Sequence, residues 1–194
     1  MNNLNLNTRS RYAGKAGLAA LVVAASMTVA SGQVMAAVQC FTTPIPVPQT
    51  TQGIYINLFT GAAGTAAATT DWDFNPWGTT NLGFFSPGAP QGHVAVGTVV
   101  SNLPTGTLVD GASTYTGSQS SAANMVNFRS GVSPGYVGVR FAQAAVTYYA
   151  WVSITTAGPN GTPATVNSWC FENTAGTGIT VGTTPVSLQK FSVD

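Results

Sequence analysis

Residues 135–182 read GYVGVRFAQAAVTYYAWVSITTAGPNGTPATVNSWCFENTAGTGITVG and hold the clearest alternation in the chain. Successive side chains of a strand leave opposite faces of the pleat, so a period of two marks half-buried β structure. Val137, Val139 and Phe141 share one face, and Tyr136, Gly138 and Arg140 share the other. The pattern restarts after Ala145. Val146, Tyr148, Ala150, Val152 and Ile154 form a core face, opposite the amphipathic row Thr147, Tyr149, Trp151, Ser153 and Thr155. Gly158-Pro159-Asn160-Gly161 has turn chemistry, because Asn-Gly readily takes positive φ. A third strand is expected over 165–172, with Val166 and Cys170 opposite Trp169 and Phe171. After a turn at 173–178, residues 179–181 resume extended structure. Short strands separated by turn signals predict an all-β fold, specifically a single jelly-roll-like β-sandwich.

Composition narrows the function classes. Only 6% of the 194 residues are charged, 44% are hydrophobic, and 22 are glycine. Disordered chains combine high charge with few apolar residues, so this composition argues against disorder. Nucleic-acid binding wants a basic patch and is not expected. The formal charge of +1 belongs to the amino-terminal segment. Arg9, Arg11 and Lys15 precede an apolar run at 16–30 that is short for a bilayer span, and Val34-Met35-Ala36 offers a small-residue cleavage site. Residues 1–36 therefore read as a cleaved signal peptide, 37–52 as an extended Pro-rich lead-in, and 53–194 as the β-sandwich domain. The expectation is a protein secreted or held at the cell surface, or kept in the periplasm, with no membrane span in the mature chain. Past residue 36 three basic side chains face five acidic ones, a net charge of about −2.

Cys40 and Cys170 both fall in the mature part. Two cysteines in an exported chain predict one disulfide. There is no CxxC and a single histidine, His93, so neither a zinc site nor a catalytic triad has its residues.

Three groups of residues invite a ligand. Tyr149 and Trp151 stand two apart on one strand face, with Asn167 and Trp169 on the next strand, a spacing suited to stacking a sugar ring. The competing reading is that these rings fill the space between two sheets. Asp71, Asp73 and Asn75 alternate in DWDFN, as oxygen ligands of calcium do. An EF-type loop fails here, because Pro76 and Leu82 stand where it needs glycine and glutamate. Finally, Asp71, Asp73, Asp110 and Glu172 are the only internal carboxylates, and of these Asp73 and Glu172 are the best placed for a glycosidase pair. No phosphate loop or nucleophile elbow is present.

The runs GYVGVRF, YYAWVSI and WCFENTAGTGITVG, and in part residues 71–85, resemble a loose group of small secreted bacterial β-sandwich proteins of mostly unassigned function. The resemblance implies export and a sandwich, and adds no catalytic residue. Some members of the group carry carboxy-terminal sorting tails, a feature not seen here.

The leading expectation is a non-enzymatic surface or extracellular protein, structural or adhesive, able to self-associate through unprotected strand edges. The alternative is a carbohydrate-binding module with a glycan partner. No cofactor is expected other than calcium at the aspartate run.

Overall fold

The computed structural model of the chain describes residues 37–66 and 71–185. The expected signal peptide, residues 1–36, and the end of the expected domain, residues 186–194, lie outside the described residues. The described part is nearly all β. In chain order the strands are β1 Val38–Phe41, β2 Ile45–Val47, β3 Tyr55–Ile56, β4 Ala63–Gly64, β5 Asn75–Trp77, β6 Gly83–Phe85 and β7 Gly92–Val96. There follow β8 Val99–Val100, β9 Leu108–Val109, β10 Tyr115–Thr116, helix α1 Val126–Arg129, β11 Val132–Gln143, β12 Val146–Thr156, β13 Ala164–Glu172 and β14 Ile179–Thr180.

The stretch with the strongest alternation is the middle of the main sheet. Its antiparallel order is β1-β13-β12-β11-β7-β10, with β2 also on β13 and β8 on β7. Val137 faces Val152, Val139 faces Ala150 and Phe141 faces Tyr148 across β11 and β12. These residues, with Ile154, Trp169 and Phe171, enter the larger core beside Ile56, Leu58, Phe74 and Phe84. Smaller sheets β3-β4 and β5-β6 cover that core. The pairs Ile56–Phe74 and Phe84–Gln119 link them to each other and to the segment after β10. The small sheets thus pack on the apolar face of the main one.

The amphipathic face is buried too. Tyr149, Trp151 and Cys170 pack with Leu103, Val109, Ile179 and Val181 in a second core. The lid comes from distant loops and from β9-β14, and alternation alone cannot reveal it. Gly138 lies under this lid. A Cβ there would sit 2.6 Å from Val94 Cγ2 and 2.9 Å from both Leu103 Cδ1 and Val109 Cγ2. Gly138→Val is accordingly expected to cost about 1–3 kcal/mol, seen as a lower urea midpoint. An unchanged midpoint would mean that the lid yields.

One expected face assignment needs correction, and three local features went unread. Val166 joins Trp169 and Phe171 in the larger core, whereas Cys170 lies in the other. The cause is a bulge: Ser153 faces Ser168 but Ile154 faces Val166, so Asn167 is the extra residue. Its Nδ2 donates to Ser153 Oγ at 3.2 Å and Thr155 Oγ1 at 3.0 Å. Residues 125–129 form a turn of helix, in which Met125 and Phe128 face inward together while Val126 stays half exposed. Asn75-Pro76 lies inside β5. The hairpin between β11 and β12 closes on Ala144 and Ala145 at φ 48° and 65°, a left-handed pair that usually takes Asn-Gly.

The Pro-rich lead-in is itself the sheet edge. Cys40 pairs directly with Cys170 at a Cα separation of 4.1 Å, bridged by the expected disulfide. That close spacing marks a pair without ladder hydrogen bonds. Ala37 O accepts the Asn173 N–H at 3.1 Å, so the odd-numbered residues of β1 bond inward and the even-numbered ones face out. In β2 Pro46 opposes Thr165, and with no N–H to give it also turns its nitrogen outward. Pro44 and Pro48 stand two residues to either side. Half of this edge has no outward donors, a recognised guard against edge pairing.

Candidate functional site

The residues picked out as a stacking platform are packed away. Tyr149 is 6% exposed, Trp151 4% and Trp169 2%. Tyr149 lies under Tyr115, ring centroids 6.4 Å apart, and the Arg140 guanidinium sits 4.2 Å above the Tyr115 ring. Trp169 stacks on Phe41 and donates its Nε1–H to Leu58 O at 3.0 Å. Asn167 is spent on the bulge. Covering both faces of the sheet removes the open aromatic surface that a sugar needs, so the competing reading of these rings is the one the burial favours.

Beside Trp151 there is an open groove of about 360 Å³, lined by Asn102, Leu103, Pro104, Thr105, Pro134 and Tyr136. The strand β11 and the loop after β8 build it together. Tyr136 N–H donates to Asn102 Oδ1 at 2.9 Å, and Leu103 N–H to Tyr136 O at 2.9 Å. The half-buried Tyr136 ring meets Trp151 edge-on, centroids 5.7 Å apart and planes at 79°. Behind it, Trp151 Nε1 has no hydrogen-bond partner. An aromatic ring on a packed base, with the Asn102 amide and the Thr105 hydroxyl at its rim, suits a polar ligand that has an apolar face. Sequence reading placed Tyr136 on the correct face but did not select it. The signal was available in the pairing of a tyrosine with Pro134.

The expected calcium ligands are not presented as a set. Asp71 is exposed and has φ 52°, which ends extended structure there and breaks the alternation. Asp73 and Asn75 are each 1% exposed. Asp73 Oδ2 accepts the Leu58 N–H at 2.9 Å, and Asn75 Nδ2 donates to Gln52 O at 2.9 Å. Burial pushes the Asp73 carboxyl up to about 7, opposed by the Leu58 bond and reinforced by Asp71. Among the described residues no three of His, Cys, Asp and Glu gather around one point.

The remaining ionisable groups stand apart in structural roles. Glu172 Oε1 accepts the Thr174 N–H at 2.9 Å, and Asp110 Oδ1 the Ala112 N–H at 2.9 Å. His93, fully buried in β7, lies 5.5 Å from Phe74 and 5.8 Å from Phe84 between ring centroids. Its Nδ1 faces Gly117 O at 3.4 Å, and its Nε2 has no partner. Burial pushes this imidazole down to about 4, with the carbonyls of Gly117 and Phe85 opposing. Neither His93 nor Asp73 opens onto the groove.

Comparison with known proteins returned no matching family model, no matching curated protein and no matching solved structure.

Proposed function

We propose that the chain is an exported, disulfide-locked recognition domain of structural or adhesive type, without a catalytic role, and that it contacts its partner through the Tyr136 groove. The observation that carries this reading is how the carboxylates and the histidine are used. Asp73, Asp110 and Glu172 each hold a backbone N–H of the chain itself, and His93 is wedged between phenyl rings. Groups committed to the fold in this way are poor acids and bases for a substrate. The disulfide favours an oxidising compartment. Self-association through the β1–β2 edge has weak support, because the prolines remove half of its outward donors.

A glycan is the second reading, now assigned to Tyr136 rather than to Tyr149 and Trp151. The groove's ring, amide and hydroxyl supply the stacking face and the orienting hydrogen bonds that sugars use. The test is a glycan and matrix-polymer binding screen of residues 37–194, run beside hydrolysis assays on the same polymers. Tyr136→Ala is expected to weaken the strongest binding at least tenfold while the protein stays folded at the assay temperature. Hydrolysis that disappears in a folded Glu172→Gln variant would overturn the non-catalytic reading.

A further inference from the structure

Arg129 ends helix α1 and is only 8% exposed. Its Nε donates to Leu82 O at 2.8 Å and its Nη2 to Ser120 O at 2.6 Å. Among the described residues no carboxylate pairs with it. A desolvated guanidinium held only by carbonyl dipoles is an incompletely compensated charge, and it gains from any anion that can reach it.

Arg129 lines a cavity of about 410 Å³ together with Asn81, Ala122, Val126, Ser130, Pro159 and Asn160. That volume lies within the ~300–1,000 Å³ common for small-molecule sites. The walls are rigidly apposed. A Cβ on Gly161 would lie 2.7 Å from Leu82 Cβ and 3.3 Å from Arg129 Cα, and one on Gly158 would lie 2.7 Å from Ser130 O. The turn between β12 and β13 is therefore pressed against α1 by glycines that leave no room for a side chain. Asn81, Ser130 and Asn160 share this lining with Arg129, while Val126 and Pro159 add apolar residues. Val126 is 50% exposed, as expected of a residue at the mouth.

We propose that this cavity binds a small organic carboxylate. Arg129 supplies the charge, Asn81, Ser130 and Asn160 orient the ligand, and Val126 and Pro159 pack against its body. A bare inorganic oxyanion would leave the apolar side uncovered. The site shares no residue with the Tyr136 groove and stands independently of the reading given to that groove.

The carboxylate can belong to an acidic sugar or to a free aromatic or aliphatic acid, and the assay separates them. Titration calorimetry of residues 37–194 is run with glucuronate against glucose, benzoate against benzamide, and inorganic phosphate. At least one acid is expected to bind at least tenfold more tightly than its neutral analogue and than phosphate, and more weakly as salt rises. Arg129→Gln removes the charge but also loosens the carbonyls of Leu82 and Ser120, so it can fail to fold. Val126→Glu avoids that difficulty by placing a competing carboxylate at the exposed mouth. It is expected to keep the melting temperature and to weaken acid binding at least tenfold. Neutral analogues or phosphate binding as well as the acids, binding that survives Val126→Glu, or no acid binding at millimolar concentration would each overturn the proposal.

Discussion

Replacing Cys40 and Cys170 together by alanine is expected to remove about 5 kcal/mol of stability from the domain. The bond spans 130 residues of sequence. Closing a loop of that length restricts the unfolded ensemble by about 5 kcal/mol in the chain-entropy model. A domain of this size is stable by only about 5–15 kcal/mol, so the loss is a large fraction of the whole. Alanine is the right replacement, because Cys170 is 1% exposed among apolar neighbours and a serine hydroxyl there would add its own burial cost. The urea midpoint should fall by roughly 2–3 M, taking a slope near 2 kcal/mol per molar. The wild type in reductant should follow the double variant. A loss below about 1 kcal/mol would mean that the unfolded chain already keeps β1 near β13. The effect also has a local side. β1 has four residues and pairs on one side only, so without its covalent tie it is the element most exposed to fraying.

The second large effect is concealed in the wild type. Between about pH 4 and 6.5 its stability should be nearly level, and Asp73→Asn should give it a slope. Asp73 titrates at about 7 in the fold against 3.8 unfolded, so between those values the native state holds one more proton and stability falls as pH rises. His93 titrates at about 4 against 6.5, so there the unfolded state holds one more proton and stability rises with pH. In the shared window the two contributions oppose each other, one proton against one. Removing the carboxylate with Asp73→Asn, whose Oδ1 can still accept the Leu58 N–H, leaves His93 alone. Stability of that variant should climb by on the order of 3 kcal/mol from pH 4 to 6.5. Above pH 7 the variant should exceed the wild type by on the order of 4 kcal/mol, since the wild type then carries a buried carboxylate. A steep wild-type slope in the window, or a flat one in the variant, would show that the two groups do not oppose each other.

Some of this could be read from the residues. Alternation in 135–182 gave the three long strands and most of their faces, and a count of two cysteines gave the disulfide. What alternation cannot encode is the neighbour. Tyr149 and Trp151 sit among hydroxyls and look half wet, yet Leu103, Val109, Ile179 and Val181 arrive from elsewhere to cover them. Asn167 looks like any polar strand residue until its pairing exposes the bulge. The helical turn at Val126–Arg129 is too short for a 3.6-residue period to declare itself. The spacing of the aspartates was visible, but not the left-handed turn at Asp71 that separates it from Asp73 and Asn75. Arg129 left only a faint trace: it is one of three basic residues past position 36, set directly after a phenylalanine.

The bulge at Asn167 bears on how the chain finds one alignment among several. A plain alternating strand that slides by two residues past its neighbour keeps every side chain on its proper face, so such errors cost little to make. β13 has no such freedom. Its residues before Asn167 and after it are out of phase, and only one alignment sends Val166, Trp169 and Phe171 into the same core while delivering Cys170 opposite Cys40. A misaligned β13 would hold the two thiols apart, so oxidation selects the same alignment that the bulge requires. The extra residue and the covalent bond check one another, and a chain that has formed its disulfide has already proved its register.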